Sequence, residues 1–186
     1  MSEVEKRMGQ TNDIPYAGLW LRLKAILVDC IILLPAWFYI ILYPFKSRAD
    51  AAVAAVAILF ITGIVYPICF HAKWGQTIGK MILKIKVTKP DFSDIGIRHA
   101  IMRSSVDTVF AVIYSAIQVQ AIYSVSKEQF QQLGAIARST LISGATPHSL
   151  SALSYTWGIG GILVILMNRK KRALRDFIGE TILIKI

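Results

Sequence analysis

The chain has 186 residues, 55% of them hydrophobic and only 17% charged, where soluble domains run at roughly 45–50% and about 25%. Its 21 Lys and Arg outnumber 11 Asp and Glu, for a net charge of +10. This balance excludes a disordered tail, a collagen-like repeat and a disulfide scaffold, and at this length a single domain over residues 1–186 is expected.

The N-terminus carries Glu3, Glu5, Lys6 and Arg7 ahead of an apolar run too long for a signal-peptide core, so no cleaved leader is expected. A membrane span needs about 20 mostly apolar residues. Four runs reach that length or come close to it, over 20–43, 51–70, 103–123 and 150–167. Any one of them alone reads equally as a buried core helix. Four in a chain this short leave too little polar sequence to cover them, which points to an all-α membrane protein of four transmembrane helices. Pro35 and Pro67 are expected to kink the first two spans. Cys30 and Cys69 sit inside apolar runs and read as small buried hydrophobes.

Orientation follows from the basic residues. Apart from Lys46, Arg48, Lys127 and Arg138, all of them precede or begin the first span, lie between the second and third, or follow the fourth. Positive charge stays inside. Both termini and the middle loop are therefore expected to be cytoplasmic, in a multi-pass protein of the plasma (inner) membrane.

Between the second and third spans, Ile85 and Val87 alternate with Lys84, Lys86 and Thr88, which is strand periodicity. Thr181–Ile186 repeats the β-branched pattern. A cytoplasmic β pairing of 82–88 with 181–186 would satisfy both backbones; an interfacial amphipathic segment is the alternative. In the loop 127–149, Phe130, Leu133, Ile136 and Ala137 recur at helical spacing. Gly158, Gly160 and Gly161 in the fourth span permit close helix approach. The run Arg169, Lys170, Lys171 and Arg172 reads as an anchor at anionic lipid headgroups, and no nucleic-acid partner is expected.

The most informative residue is Asp29. Nine residues from Trp20 at about 1.5 Å each place it roughly 13–14 Å into the first span. An ionised carboxylate there is costly, so it must be neutral, paired or facing water. Arg22 shares its helix face but sits roughly 10 Å away along the axis, so contact from a basic or hydroxyl group of another helix is expected. A structural ion pair and a functional intramembrane acid both fit. The third span adds His99, Arg103 and Asp107 at four-residue spacing, with Tyr114, Ser115 and Gln118 further along that face and Val109, Val112 and Ile113 opposite. This polar stripe reads either as a hydrated path or as hydroxyl and amide bonding between helices.

No phosphate loop, zinc-spaced Cys/His set or serine elbow is present. Gly75-Gln-Thr-Ile-Gly-Lys80 lacks the phosphate-loop spacing. No enzyme activity, cofactor or metal is expected.

Three segments in order, Tyr16-Ala-Gly-Leu-Trp-Leu-Arg22 leading to Val28-Asp29, Gly75-Gln-Thr-Ile-Gly-Lys80 with the Ile85–Thr88 strand, and Arg172-Ala-Leu-Arg-Asp176, resemble the RDD family of membrane proteins. The family is named for one arginine and two aspartates, which the resemblance places at Arg22, Asp29 and Asp176. Family members more often carry His before the last Asp and Ala-Gly-Thr after it, where this chain has Arg175 and Gly179-Glu180-Thr181. The resemblance implies transport of an ion or small solute, including alkali-cation/proton exchange. Four helices make a thin wall, so self-association or a membrane-complex partner is expected. The alternative is a non-transporting assembly or scaffold subunit.

Overall fold

The structure is a computed structural model and describes residues 16–42 and 48–186. Lys6, Arg7 and Lys46, which enter the orientation argument, and Tyr43, where the first expected span ends, lie outside the described residues.

Helix α1, Leu19–Leu42, runs through Pro35 without ending. Helix α2, Arg48–Phe60, passes into a π-helical turn, Ile61–Val65, and then into α3, Tyr66–Trp74. Pro67 explains the π turn. It has no N–H to continue the α register, and just ahead of it the Tyr66 N–H donates to the Ile61 carbonyl, five residues back. Such a π bulge relieves the break within a continuing helix.

Among the described residues, three helical stretches are long and apolar enough to cross a membrane: Val56–Trp74, α5 (Ile97–Ser124) and α8 (His148–Met167). Helix α1, whose C-terminal end runs to the edge of the described residues, is not in that set. The second span begins and ends later than 51–70, and the third helix starts before 103, taking His99 into the same helix as Asp107.

The apolar faces of these helices turn outward. Val109, Val112 and Ile113 of α5 and Ile159, Leu163 and Leu166 of α8 are exposed. Apolar surface on this scale marks contact with something other than water. Cys30 and Cys69 are exposed as well, correcting the expectation that they are buried. An apolar side chain in a spanning helix has lipid as a partner as good as a core. The expected close approach at the glycines of α8 is also corrected. A Cβ at Gly158 or Gly161 would meet open space, and one at Gly160 would touch Leu174 at 3.4 Å.

The chain divides into two compact units. The first holds residues up to Cys30, Ile68–Ser104 and Ile159–Ile186. It contains α4 (Ile78–Ile82), β1 (Ile85–Thr88), α9 (Leu174–Ile178) and β2 (Ile182–Lys185). The strands pair antiparallel, Ile85 opposite Lys185 and Thr88 opposite Ile182. This is the expected pairing, shortened because residue 82 ends α4. The N-terminal stretch extends the ladder: Tyr16 bridges Ile184 and the Ala17 N–H donates to the Leu183 carbonyl at 2.9 Å. Ile85, Val87, Leu183, Ala17, Ala25 and Ile95 form its core.

The second unit holds Ile31–Pro67 and Ser105–Gly158. The 127–149 segment forms two short helices, α6 (Lys127–Gln132) and α7 (Ala135–Gly144). A capping box starts α6: Ser126 Oγ accepts the Gln129 N–H and Gln129 Oε1 accepts the Ser126 N–H, both at 3.1 Å, satisfying two otherwise orphan donors. Phe130 is fully buried with Ala51 and Ile122, and Leu133 packs at the edge, while Ile136 is 81% exposed. Phe130→Ala is expected to cost about 3–5 kcal/mol through lost burial and the cavity left behind, measured by chemical unfolding in detergent; a loss below about 1 kcal/mol would contradict the packing.

Candidate functional site

In the first unit, two residues of the expected Arg–Asp–Asp set meet. Arg22 is the fourth residue of α1, 7% exposed, and its Nη1 donates to Asp176 Oδ2 at 2.7 Å. Its Nε donates to the Ala17 carbonyl at 2.9 Å and its Nη2 to the Lys171 carbonyl. The guanidinium is thus used along its whole fork, which is what a planar five-donor group does best. Asp176 is fully buried at the third position of α9. It reaches back to accept the Ala173 N–H at 2.8 Å, and its Oδ1 faces the Arg103 guanidinium in a second ion pair. Arg103, from the first turns of α5, also donates to the Thr181 hydroxyl at 2.8 Å. Arg172 closes the far side, donating to the Thr181 and Asp176 carbonyls at 3.1 and 3.2 Å while stacking over Phe177.

Gly179 makes this approach feasible. A Cβ there would sit 2.8 Å from Arg103 Cβ and 3.2 Å from the His99 carbonyl. The neighbouring Glu180 has φ +51°, a left-handed conformation that favours glycine. This chain thus places its glycine at the packing position and a glutamate at the turn. His99 lies alongside, its Nδ1 buried with no hydrogen-bond partner among the described residues.

Asp29 goes elsewhere. Its Oδ2 accepts the Thr77 hydroxyl at 2.6 Å and its Oδ1 accepts the Gly79 N–H at 2.8 Å. Thr77 is the N-cap of α4 and makes no cap bond with its own side chain. The α1 carboxylate therefore supplies the cap from another element, satisfying a donor at a helix start where negative charge is favoured. Gly79 is required by the contact: a Cβ would run into the Ala25 carbonyl and stand 2.9 Å from Asp29 Cγ. The hydroxyl expected on Asp29 is present, but a loop carries it rather than a spanning helix. Thr77 and Gly79 escaped sequence reasoning; a Thr-x-Gly at the start of an uncapped short helix is the signal that could have found them.

The same loop carries Lys80, whose Nζ lies 2.6 Å from His71 Nε2 of α3. Burial holds the Lys80 amine well below the usual lysine range, with the positive charges of Arg103, Arg175 and Arg22 lowering it further against the opposing pull of Asp176.

The remaining stripe residues lie in the second unit. Trp157 Nε1 of α8 donates to Asp107 Oδ1 at 3.1 Å, and Tyr114 and Ser154 share a hydroxyl hydrogen bond at 2.9 Å. Ser115 is buried and bonds the Ala111 carbonyl at 2.7 Å; Gln118 is half-buried. A cavity of about 530 Å³ in this unit is lined by Ile117, Gln120, Ala121 and Ser124 of α5 with Thr140, Leu141 and Gly144 of α7, beyond the stripe rather than along it. Among the described residues no group of His, Cys, Asp and Glu could hold a metal ion. Of the basic run after α8, Arg169 and Lys170 are exposed, while Lys171 and Arg172 are half-buried beside Arg22 and Asp176.

Long apolar helices with outward apolar faces, closed by a buried Arg–Asp–Arg network, define a class of multispanning membrane proteins. The model of the RDD family matches residues 16–180, and the chain belongs to that family of membrane proteins. No curated protein matches the chain, and no solved structure does.

Burial pushes the Asp176 carboxyl up, but Arg103, Arg22 and the Ala173 amide outweigh it and hold it below the ordinary carboxylate value. Its folded-state proton affinity is lower than in the unfolded chain. The stability its charge contributes is therefore complete above the unfolded value of 3.8 and lost as pH falls through the folded value. Asp176→Asn is expected to cost about 3–5 kcal/mol at neutral pH, because it leaves two guanidinium groups uncompensated, and to flatten the pH dependence of unfolding below about pH 4. Unfolding curves of the two proteins that run parallel down to pH 2 would contradict this.

Proposed function

We propose that the protein is a four-span membrane transporter of the plasma (inner) membrane, with α1 as the additional span and both termini cytoplasmic. It moves an ion or small solute along the polar stripe of α5 in a cation/proton exchange-like process. The observation that carries the reading is Asp107. It lies ten residues into α5, about 15 Å along the helix, and so within a hydrocarbon core about 30 Å thick. It shares its face with Tyr114, Ser115 and Gln118, and receives the Trp157 indole N–H of α8. The indole thus gives this carboxylate a hydrogen bond from a neighbouring spanning helix, placing an acid between α5 and α8 where a cation or a proton could be handled. An intramembrane acid is a functional group by default.

Asp29 and Asp176 serve the process by position: one caps the loop before β1, the other ties α1, α5 and α9 together. The basic residues at the start of α1, between α3 and α5, and after α8 support the orientation. Arg169, Lys170, Lys171 and Arg172 would lie at anionic headgroups. A small bundle of this kind would self-associate to enclose a path, and the role requires no cofactor and no enzymatic step.

The test is proteoliposome flux. With a pH dye inside, a pulse of alkali cation should drive proton movement in the native chain. Asp107→Asn should lower the rate at least tenfold while eluting as a folded species, and Asp107→Glu should retain part of it. Native rates in Asp107→Asn would overturn the assignment.

A second reading, a non-transporting assembly or scaffold subunit, is favoured by one observation: Asp29, Asp107 and Asp176 each bind a neighbouring segment of the chain. It predicts no flux above empty vesicles in the native chain and a stoichiometric co-purifying partner, lost when Asp107 is replaced.

A further inference from the structure

Beside the helix start that Asp29 caps lie two nitrogen bases the transport reading does not use, Lys80 of α4 and His71 of α3. Lys80 Nζ and His71 Nε2 are 2.6 Å apart, and His71 is 5% exposed at the end of α3. At that separation one proton lies between the two nitrogens, since each can donate or accept but two donors cannot face each other. An ammonium and an imidazolium together would also place two like charges in contact. The pair therefore has two accessible states, one carrying a single shared proton and one carrying none beyond those of the neutral bases.

We propose that His71 and Lys80 form a proton-binding site, loading and unloading one proton as a unit from the half-buried loop between α3 and β1. The surroundings favour unloading. Burial and the positive charges of Arg103 on α5, Arg175 on α9 and Arg22 on α1 lower the affinity of the Lys80 amine for its proton, and the Asp176 carboxylate of α9 acts in the opposite sense. Asp176 is already shared between two guanidinium groups, so its charge is largely spent on them. Asp29 of α1 accepts from Thr77 and Gly79 at the start of the same short helix. The surplus positive charge lowers the affinity of the Lys80 amine for its proton, and the imidazole 2.6 Å away is the base that receives or returns it. The released proton passes to water; the Lys80 residue is half-buried, with its amine at the buried end.

Rigidity is built into the site. The Asp29 cap holds the start of α4, and Gly79 packs directly on α1 next to Lys80. Gln76 fixes the other side of the loop by donating to the Ile85 carbonyl at 2.8 Å. The backbone that presents Lys80 is thus held to α1 on one side and to β1 on the other.

The site is tested without reference to flux. The full chain in nanodiscs, with 13Cε-labelled lysine and 15N-labelled histidine, is titrated by NMR from pH 5 to 11. The Lys80 resonance is assigned by its absence in Lys80→Arg. It should titrate with at least tenfold weaker proton affinity than the other lysines, and the His71 ring nitrogens should shift in the same step, as coupled sites do. In Lys80→Arg, whose guanidinium does not deprotonate, the His71 step should move by more than half a pH unit. Titration of Lys80 together with the other lysines would overturn the proposal, as would a His71 step that Lys80→Arg leaves unmoved. These outcomes stand whether or not the native chain carries flux, so failure here and failure of the transport reading are separable.

Discussion

The structure of the first unit depends on one buried carboxylate held by two arginines. Asp176 sits on a five-residue helix too short to be stable by itself, yet it is fully buried between Arg22 of α1 and Arg103 of α5. Removing three charges from water is costly, and such a network adds little net stability over an apolar core of the same shape. What it does is exclude alternatives. A guanidinium buried without this carboxylate is worse than any mispacking of apolar side chains, so α1, α5 and the C-terminal segment have one register in which all three charges are satisfied. The Thr181 hydroxyl and the carbonyls of Lys171, Asp176 and Thr181 complete the shell, and β2 follows directly from it.

Two arginines on one aspartate leave positive charge to spare, and the adjoining loop is shaped by that surplus. Lys80 enters a neighbourhood already occupied by guanidinium groups and holds its proton weakly, with His71 in hydrogen-bonding reach. Asp29, about two turns along α1 from Arg22, accepts hydrogen bonds from the start of α4. One residue set thus performs two separate tasks: an ion lock at the C-terminal segment and a helix cap at the middle loop.

Much of this was legible in the sequence where the signal is local. The alternation of Ile85 and Val87 with charged neighbours, and the β-branched end of the chain, pointed to the strand pair and its approximate limits; its antiparallel direction is seen only in the structure. The polar stripe of α5 and the apolar stripe opposite it emerged from spacing alone, and the buried Ser115 and exposed Val112 follow it. What escaped was non-local. Arg22 and Asp29 share a helix face, which suggests a relation between them, whereas the partner of Arg22 lies 154 residues away. Arg103 and Asp107 have local ion-pair spacing, which gives no hint that Arg103 also reaches Asp176 and Asp107 also receives Trp157. Cys30 and Cys69 failed for another reason: in a lipid-facing helix an apolar neighbourhood does not mean an interior position. The glycines of α8 misled in the same way, since small residues permit close approach but do not compel it.

The account rests on Arg22 and Asp176 acting as a single buried unit, and a double-mutant cycle measures that directly. Arg22→Gln, Asp176→Asn and the double variant would be unfolded chemically in the same detergent at neutral pH. If the pair is one unit, removing the second partner costs little once the first is gone, and the costs fall short of additivity by about 1–3 kcal/mol. Costs that add to within about 0.5 kcal/mol would contradict the lock.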